Sequence, residues 1–249
     1  MAMGLLGHCG PSTAPQPTPP DAQAYPDPPA AEVIAHSTLA DTLGLYADLR
    51  LIEDRLGPLG PEVKENLRAV EVRYFSFTDS TCTMVDTQRE YSGILLVHAC
   101  IADEVERLFE VLKRDTFPIA KVVPINRYGL RADHTGWDDE ASMADNNTSA
   151  FNYRTKPTSS EPSKHAMGIA IDINPRQNPM VRHDAHGTVV QPAHGHYDPT
   201  APGTLHRRNT AAYLSDIGWS WGGRWPRPQD HQHIEKSRGS CAHFRFSLK

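Results

Sequence analysis

The run Ser163-Lys164-His165-Ala166-Met167-Gly168-Ile169-Ala170-Ile171-Asp172-Ile173-Asn174 decides how this chain reads. From Gly168 onward apolar and small residues alternate, with the two-residue period of a strand. Ile169, Ile171 and Ile173 then share one face, and Gly168, Ala170, Asp172 and Asn174 share the other. The first face packs. The second carries almost no bulk where a core strand would carry Val or Leu. A carboxylate on such a face is within reach of a metal and a substrate, so His165 and Asp172 read as half of a metal site. Taken alone, the two residues fit equally a loop histidine and an acid ending an edge strand.

The other half comes near the end of the chain, in Asp230-His231-Gln232-His233-Ile234-Glu235. His233 supplies a second imidazole, and Asp230 stands three positions before it. A catalytic zinc ion takes neutral imidazole and carboxylate ligands, three from the protein with water at the fourth position. His165, Asp172 and His233 fill that description and leave Asp230 as a spare acid. A carboxylate beside the metal water can take its proton and pass it to a leaving amine. Asp230 is therefore assigned general base and acid, with Glu235 and His231 as the alternatives. On a strand Glu235 shares a face with His233 and can orient its ring. Ser163 is expected to steady the ligand loop by a hydrogen bond.

Together the motifs S-x-H-x-x-G-x-A-x-D and D-x-x-H-x-E, the second after the Trp-rich approach 219–225, resemble those of the VanY-type D-alanyl-D-alanine carboxypeptidases. These are part of a wider zinc peptidase group with VanX, phage L-alanyl-D-glutamate endolysins and the hedgehog signalling fold. The resemblance runs from about Val70 to Phe246 and is strongest from Asp138 to Glu235. It implies an α+β fold, an antiparallel sheet with flanking helices of the hedgehog/D,D-peptidase type. It also implies Zn2+ as cofactor and a peptidoglycan stem peptide as substrate, with D-Ala-D-Ala carboxypeptidase activity expected first. Peptidoglycan endopeptidase activity, on L-Ala-D-Glu bonds or cross-links, and a non-catalytic zinc-containing binding domain are the alternatives. In this group an Arg in a Tyr-Arg pair upstream of S-x-H points at the substrate. Arg154 matches that position, and its guanidinium would hold a carboxylate or the developing oxyanion. A salt bridge is the other reading of Arg154.

Composition narrows the partners. The chain has 249 residues, 39% of them hydrophobic, and a formal net charge of -5, enough apolar material for one large core. No basic stripe calls for nucleic acid or an anionic membrane, and no stretch approaches transmembrane length. A monomer is expected. The resemblance points to an extracytoplasmic location, although no standard export signal is evident. Cys9, Cys82, Cys100 and Cys241 lack metal-knuckle spacing. Cys82 and Cys100 flank an expected hairpin, so a bridge between them and a pair of free thiols both stay open.

Residues 1–35 hold eight of the 21 prolines and read as a disordered leader or tether. Residues 36–249 are assigned to the peptidase domain. Helical spacing of Leu45, Leu49, Ile52 and Leu56 predicts a helix over 38–56, and Ile101, Val105, Leu108, Phe109 and Leu112 predict another. Strands are expected over 70–77, 93–98, 117–123 and 151–154, and a short helix over 209–217. Solvated polarity is the expected role of His134, Asp138 and Asp139. The loop holding His183, His186, His194, His196 and His206 reads as a lid or rim rather than a second metal site.

Overall fold

A computed structural model describes residues 32–156, 159–185 and 187–241. Its longest elements are the antiparallel strands β2 (Leu67–Phe77) and β3 (Val85–His98), with Val72 opposite Gly93 and a bulge between Tyr74 and Ser76. β1 (Val33–Ala35) runs parallel to β3 on its other edge, giving the order β1-β3-β2. Those three residues lie inside the stretch expected to be leader, so the fold begins earlier than residue 36. Residues 1–31 lie outside the described residues.

Helix α1 (Leu45–Leu56) is shorter than its periodicity predicts. The preceding turn, Leu39–Thr42, is a 3-10 helix, and Gly44 breaks the run at φ 86°, a backbone region that favours glycine. Leu45, Leu49 and Ile52 pack with α2 (Pro61–Lys64), Trp137, Phe151 and Tyr153 in one apolar cluster. Helix α3 (Ala102–Arg114) buries Val105, Leu108, Phe109 and Leu112. Each such side chain contributes roughly 1.5–3 kcal/mol, which fixes the helix on the sheet. Acids Asp103 and Glu104 open it and Lys113 and Arg114 close it, as the helix dipole favours.

The remaining sheets are small. β4 (Lys121–Val122) pairs in parallel with β5 (Asn147–Thr148), just after α4 (Asp139–Ala144). The strand expected over 117–123 is cut to two residues because its neighbouring amides go elsewhere. Ile119 N–H donates to Phe75 O, and Ala120 N–H donates to Asn174 Oδ1. β6 (Ala170–Asp172), β9 (Trp219–Trp221) and β11 (His233–Lys236) form an antiparallel sheet in the order β6-β11-β9, with α5 (Arg207–Leu214) leading into β9. β7 (Met180–Asp184) and β8 (Gly187–Gln191) make a hairpin that β10 (Gln229–Asp230) joins along β7. The fold is thus α+β with several small, mostly antiparallel sheets. No helix among the described residues is long and apolar enough to cross a membrane.

Cys100 pairs with Cys241, and Cys82 is a free thiol, so the Cys82–Cys100 bridge is ruled out. The disulfide ties the last described turn, Arg238–Cys241, to the turn Ala99–Ile101 that precedes α3.

Candidate metal centre and active site

β6 and β11 place Asp172 directly opposite His233, and facing residues of an antiparallel pair present their side chains to the same side. The alternation of 168–174 holds, with Ile169, Ile171 and Ile173 in the core. The other face is not bare, as the sequence led us to expect. Ala170, Asp172 and Asn174 are buried too, and Ser149 pairs along the edge of β6 through backbone bonds with Asp172 of 3.1 and 2.8 Å. Two carboxamides secure the strand's exit. Asn174 donates to Pro118 O and Gly203 O, and Asn178 donates to Ile173 O and Gly203 O.

His165 stands on the 3-10 turn His165–Met167, where Ser163 Oγ accepts from Ala166 N–H at 3.2 Å. The turn ends on Gly168 at φ 67°, whose O accepts from His98 N–H of β3. A Cβ there would stand 2.7 Å from His98 N. Glycine is therefore required twice over, for its backbone angle and for the close approach.

The three side chains converge. His165 Nε2 lies 3.0 Å from His233 Nδ1 and 3.3 Å from Asp172 Oδ2, and His233 Nδ1 lies 3.1 Å from Asp172 Oδ1. All three are buried. The far side of each ring has an acceptor: His165 Nδ1 lies 2.7 Å from Ala150 O, and His233 Nε2 lies 3.1 Å from Glu235 Oε2. When these outer nitrogens donate, the inner nitrogens of the neutral rings carry lone pairs. Two lone pairs and a carboxylate then face one another with no hydrogen to share, an arrangement that a cation stabilises. Ligand atoms on bonds of about 2.0–2.1 Å at tetrahedral angles stand about 3.3 Å apart, so the observed separations fit one small tetrahedral cation.

The electrostatics agree. Burial opposes protonation of His233, but the hydrogen bonds of Asp172 and Glu235 and the charges of Asp172 and Asp230 outweigh it and push its pKa up to about 10. Burial likewise opposes ionisation of Asp172, yet the two histidines hold its carboxyl far below the usual carboxylate range. Without a cation His233 therefore holds a proton in its place, so the centre takes up positive charge in either form.

Asp230, at the end of β10, stays outside this cluster. Burial, and then the charge of Asp172, raise its pKa to about 6 against the opposing pull of His233, His165 and Arg154. Its Oδ1 is covered and has no partner. Gly222 makes its approach possible: a Cβ there would meet Asp230 O at 2.6 Å and His233 Cβ at 3.3 Å. Glu235 sits behind His233 and 3.8 Å from Lys164 Nζ. The His231 ring faces away, with Nδ1 3.0 Å from Pro179 O and a stacking contact of 3.7 Å with Tyr197. The half-buried Trp225 ring lies 5.2 Å from that of His233 and walls this side.

The segment 151–154 forms no strand. Its backbone bonds instead join the ligand stretches: Asn152 N–H donates to His165 O, and Arg154 O accepts from Ser163 N–H. Arg154 Nε lies 3.0 Å from Asp139 Oδ2. Asp139, expected to be solvated polarity, is thus the partner of Arg154, a relation that fifteen residues of separation hid. The carbonyl of Ala150 also escaped sequence reasoning, since a backbone acceptor leaves no mark in residue identity. Of the loop histidines, His183 bonds Thr188 and His196 N–H donates to Arg176 O. His186 lies outside the described residues.

No curated protein and no solved structure matches the chain. One family model does, over residues 157–236, described as D-alanyl-D-alanine carboxypeptidase. The matched stretch contains both motifs and all three converging side chains, so residues 157–236 are similar to this family over the same residues that carry the resemblance read from the motifs.

Proposed function

We propose that this protein is a zinc metallopeptidase acting on peptidoglycan stem peptides, with release of a terminal D-Ala as its main reaction. The observation that carries this reading is the convergence of His165 Nε2, His233 Nδ1 and Asp172 within 3.3 Å, each imidazole backed by an acceptor on its outer nitrogen. The family match supplies the substrate class. His165, Asp172 and His233 would hold the ion, and the hedgehog/D,D-peptidase grouping of the fold goes with this assignment. When bound, zinc polarises a carbonyl and makes a water acidic enough to lose a proton near neutral pH.

The chain's own groups do the rest. Asp230, buried and with its Oδ1 unpartnered, is the carboxylate that takes the proton of the attacking water. It then returns that proton to the leaving amine. Glu235 keeps the His233 ring turned, and Ala150 O does the same for His165. Arg154 supplies a guanidinium for the substrate carboxylate or the developing oxyanion. Trp225 limits water on the His233 side. The Cys100–Cys241 disulfide supports an extracytoplasmic location, and we expect the protein to act as a monomer.

Purified peptidoglycan digested with and without chelator, with the products identified by mass spectrometry, tests the reading. Chelator-sensitive release of single D-Ala is expected. Longer fragments would make the protein an endopeptidase, and no release would leave a zinc-containing binding domain.

A further inference from the structure

The first motif leaves the position between its Ser and His open, and here a lysine fills it. Lys164 reaches the centre from behind His233. Glu235 follows His233 by two positions on β11, so both side chains leave the same face of the strand. Across the sheet Ala170 faces Glu235 as Asp172 faces His233, which puts a small side chain beside the carboxylate. Glu235 Oε2 meets His233 Nε2 at 3.1 Å. The other oxygen, Oε1, stands 3.8 Å from Lys164 Nζ.

Two segments place that ammonium. The backbone of Lys164 opens the turn that carries His165, its O accepting from Met167 N–H and Ile169 N–H at 3.1 and 3.2 Å. Its side chain crosses to β11, where Nζ donates to Lys236 O at 2.8 Å. Lys236 N–H in turn donates to Ile169 O at 2.9 Å. The ammonium is thus moored one residue beyond Glu235, and it carries more donors than that bond uses. Both side chains of the pair are only 20% exposed, unlike the solvated pairs that contribute little.

A ring that ligates through Nδ1 keeps its proton on Nε2, and the acceptor of that proton fixes the tautomer and the ring plane. Glu235 reaches His233 through a flexible side chain, whose rotamer freedom weakens its hold unless a second contact limits it. Lys164 is that contact.

We infer that Lys164 is a positioning residue of the metal centre: its ammonium, moored on Lys236 O, holds the Glu235 carboxylate where Oε2 keeps the His233 Nε2 proton and Nδ1 faces the cation. This rests on the metal site of the proposed function, and the test separates the two. Zinc affinity is measured by competition with a chromophoric chelator for wild type, Lys164→Met, Lys164→Arg, Glu235→Gln and the double variant Lys164→Met/Glu235→Gln. Outer partners of a ligating ring contribute about 10- to 100-fold to metal affinity, so Lys164→Met, which loosens Glu235 without removing it, should cost about 10-fold. Lys164→Arg should recover most of that loss, and Lys164→Met should add nothing in the Glu235→Gln background.

An equal loss with and without Glu235 would mean that Lys164 only ties the His165 turn to β11, and overturns the inference. A wild type that binds zinc and a Lys164→Met variant that binds it equally well overturn the inference alone. A wild type that takes up no zinc overturns the metallopeptidase reading, and metal-free protein then decides the inference. The His233 Nε2 proton in nitrogen-15 spectra should exchange slowly with solvent in wild type and Lys164→Arg and quickly in Lys164→Met; equal exchange overturns it. Should Lys164→Met fail to fold, the Lys164 ammonium signal reads the same pair from the other side. It should be visible in wild type and lost to exchange in Glu235→Gln, and an unchanged signal overturns the inference.

Discussion

Replacing Asp230 by Asn should make the protein more stable and nearly inactive at once. The carboxyl is raised from 3.8 to about 6, which costs its ionised form about 3 kcal/mol at neutral pH. Oδ1 finds no partner to offset that cost. The neutral amide removes the charge but leaves one buried polar atom poorly paired, itself a cost of about 1 kcal/mol. The net gain is then about 1–2 kcal/mol, or roughly 3–6 °C in melting temperature for a chain of this size. Metal-free protein is the right sample, because a bound cation would relieve the repulsion from Asp172. The pH dependence has a definite sign. A folded pKa raised above its unfolded value contributes stability that is complete below pH 3.8 and lost as pH rises through about 6. The advantage of Asp230→Asn should therefore be widest above about pH 6 and close towards pH 4. In zinc-loaded protein the variant should keep its metal while hydrolysis of a peptidoglycan fragment falls about 10²- to 10⁴-fold, since an amide cannot take the proton. Differential scanning calorimetry at several pH values, elemental analysis and a peptide assay together test it. Loss of metal would make Asp230 a ligand. Retained activity with collapse in Glu235→Gln would give the base to Glu235, and absence of stabilisation in the metal-free variant would refute the burial argument.

His165→Ala should abolish stoichiometric zinc binding, read by elemental analysis; a full equivalent of metal in that variant would refute the ligand assignment. Gly222→Ala should destabilise the fold by about 1–3 kcal/mol and lower activity, because its Cβ would stand 2.6 Å from Asp230 O; a denaturant midpoint equal to wild type would show that the approach of Asp230 to His233 is not that tight. Cys241→Ser should cost about 2–5 kcal/mol, since the bridge closes a separation of 141 residues. That loss should match the effect of mild reduction on the wild type, and two different values would mean the serine acts by some other route.

Legibility in the sequence followed the range of the forces involved. The isoleucines of 169–173 and the stripe of α3 are local periodicities, and both elements formed where the pattern put them. The convergence of His165, Asp172 and His233 was readable because each motif carries its residues within a dozen positions. Gly44 spoiled the long first helix, since a helical repeat of leucines says nothing about a left-handed residue between its turns. The expected strand at 117–123 failed because Asn174, more than fifty residues away, takes the Ala120 amide. Cys100 and Cys241 have no spacing signature at all, and the fold brings them together across a separation of 141 residues.

The orienting groups of the site are the least legible part, and they lie in a different part of the chain from the ligands. The matched stretch 157–236 holds His165, Asp172, His233, Asp230 and Glu235. Ala150, whose carbonyl accepts from His165 Nδ1 at 2.7 Å, and Arg154 with its partner Asp139 all precede it. A ring that loses its outer acceptor is free to turn or to change tautomer, and outer partners of this kind typically contribute 10- to 100-fold, as an order of magnitude, to metal affinity. The segment 149–154 also bonds the backbone of Asp172, His165 and Ser163, so it is the clamp on which both ligand stretches register. The family motifs therefore specify which atoms meet at the centre. What turns them inward is the run Ser149–Arg154, held by β3 through Leu96 O and by the buried rings of Phe151 and Tyr153.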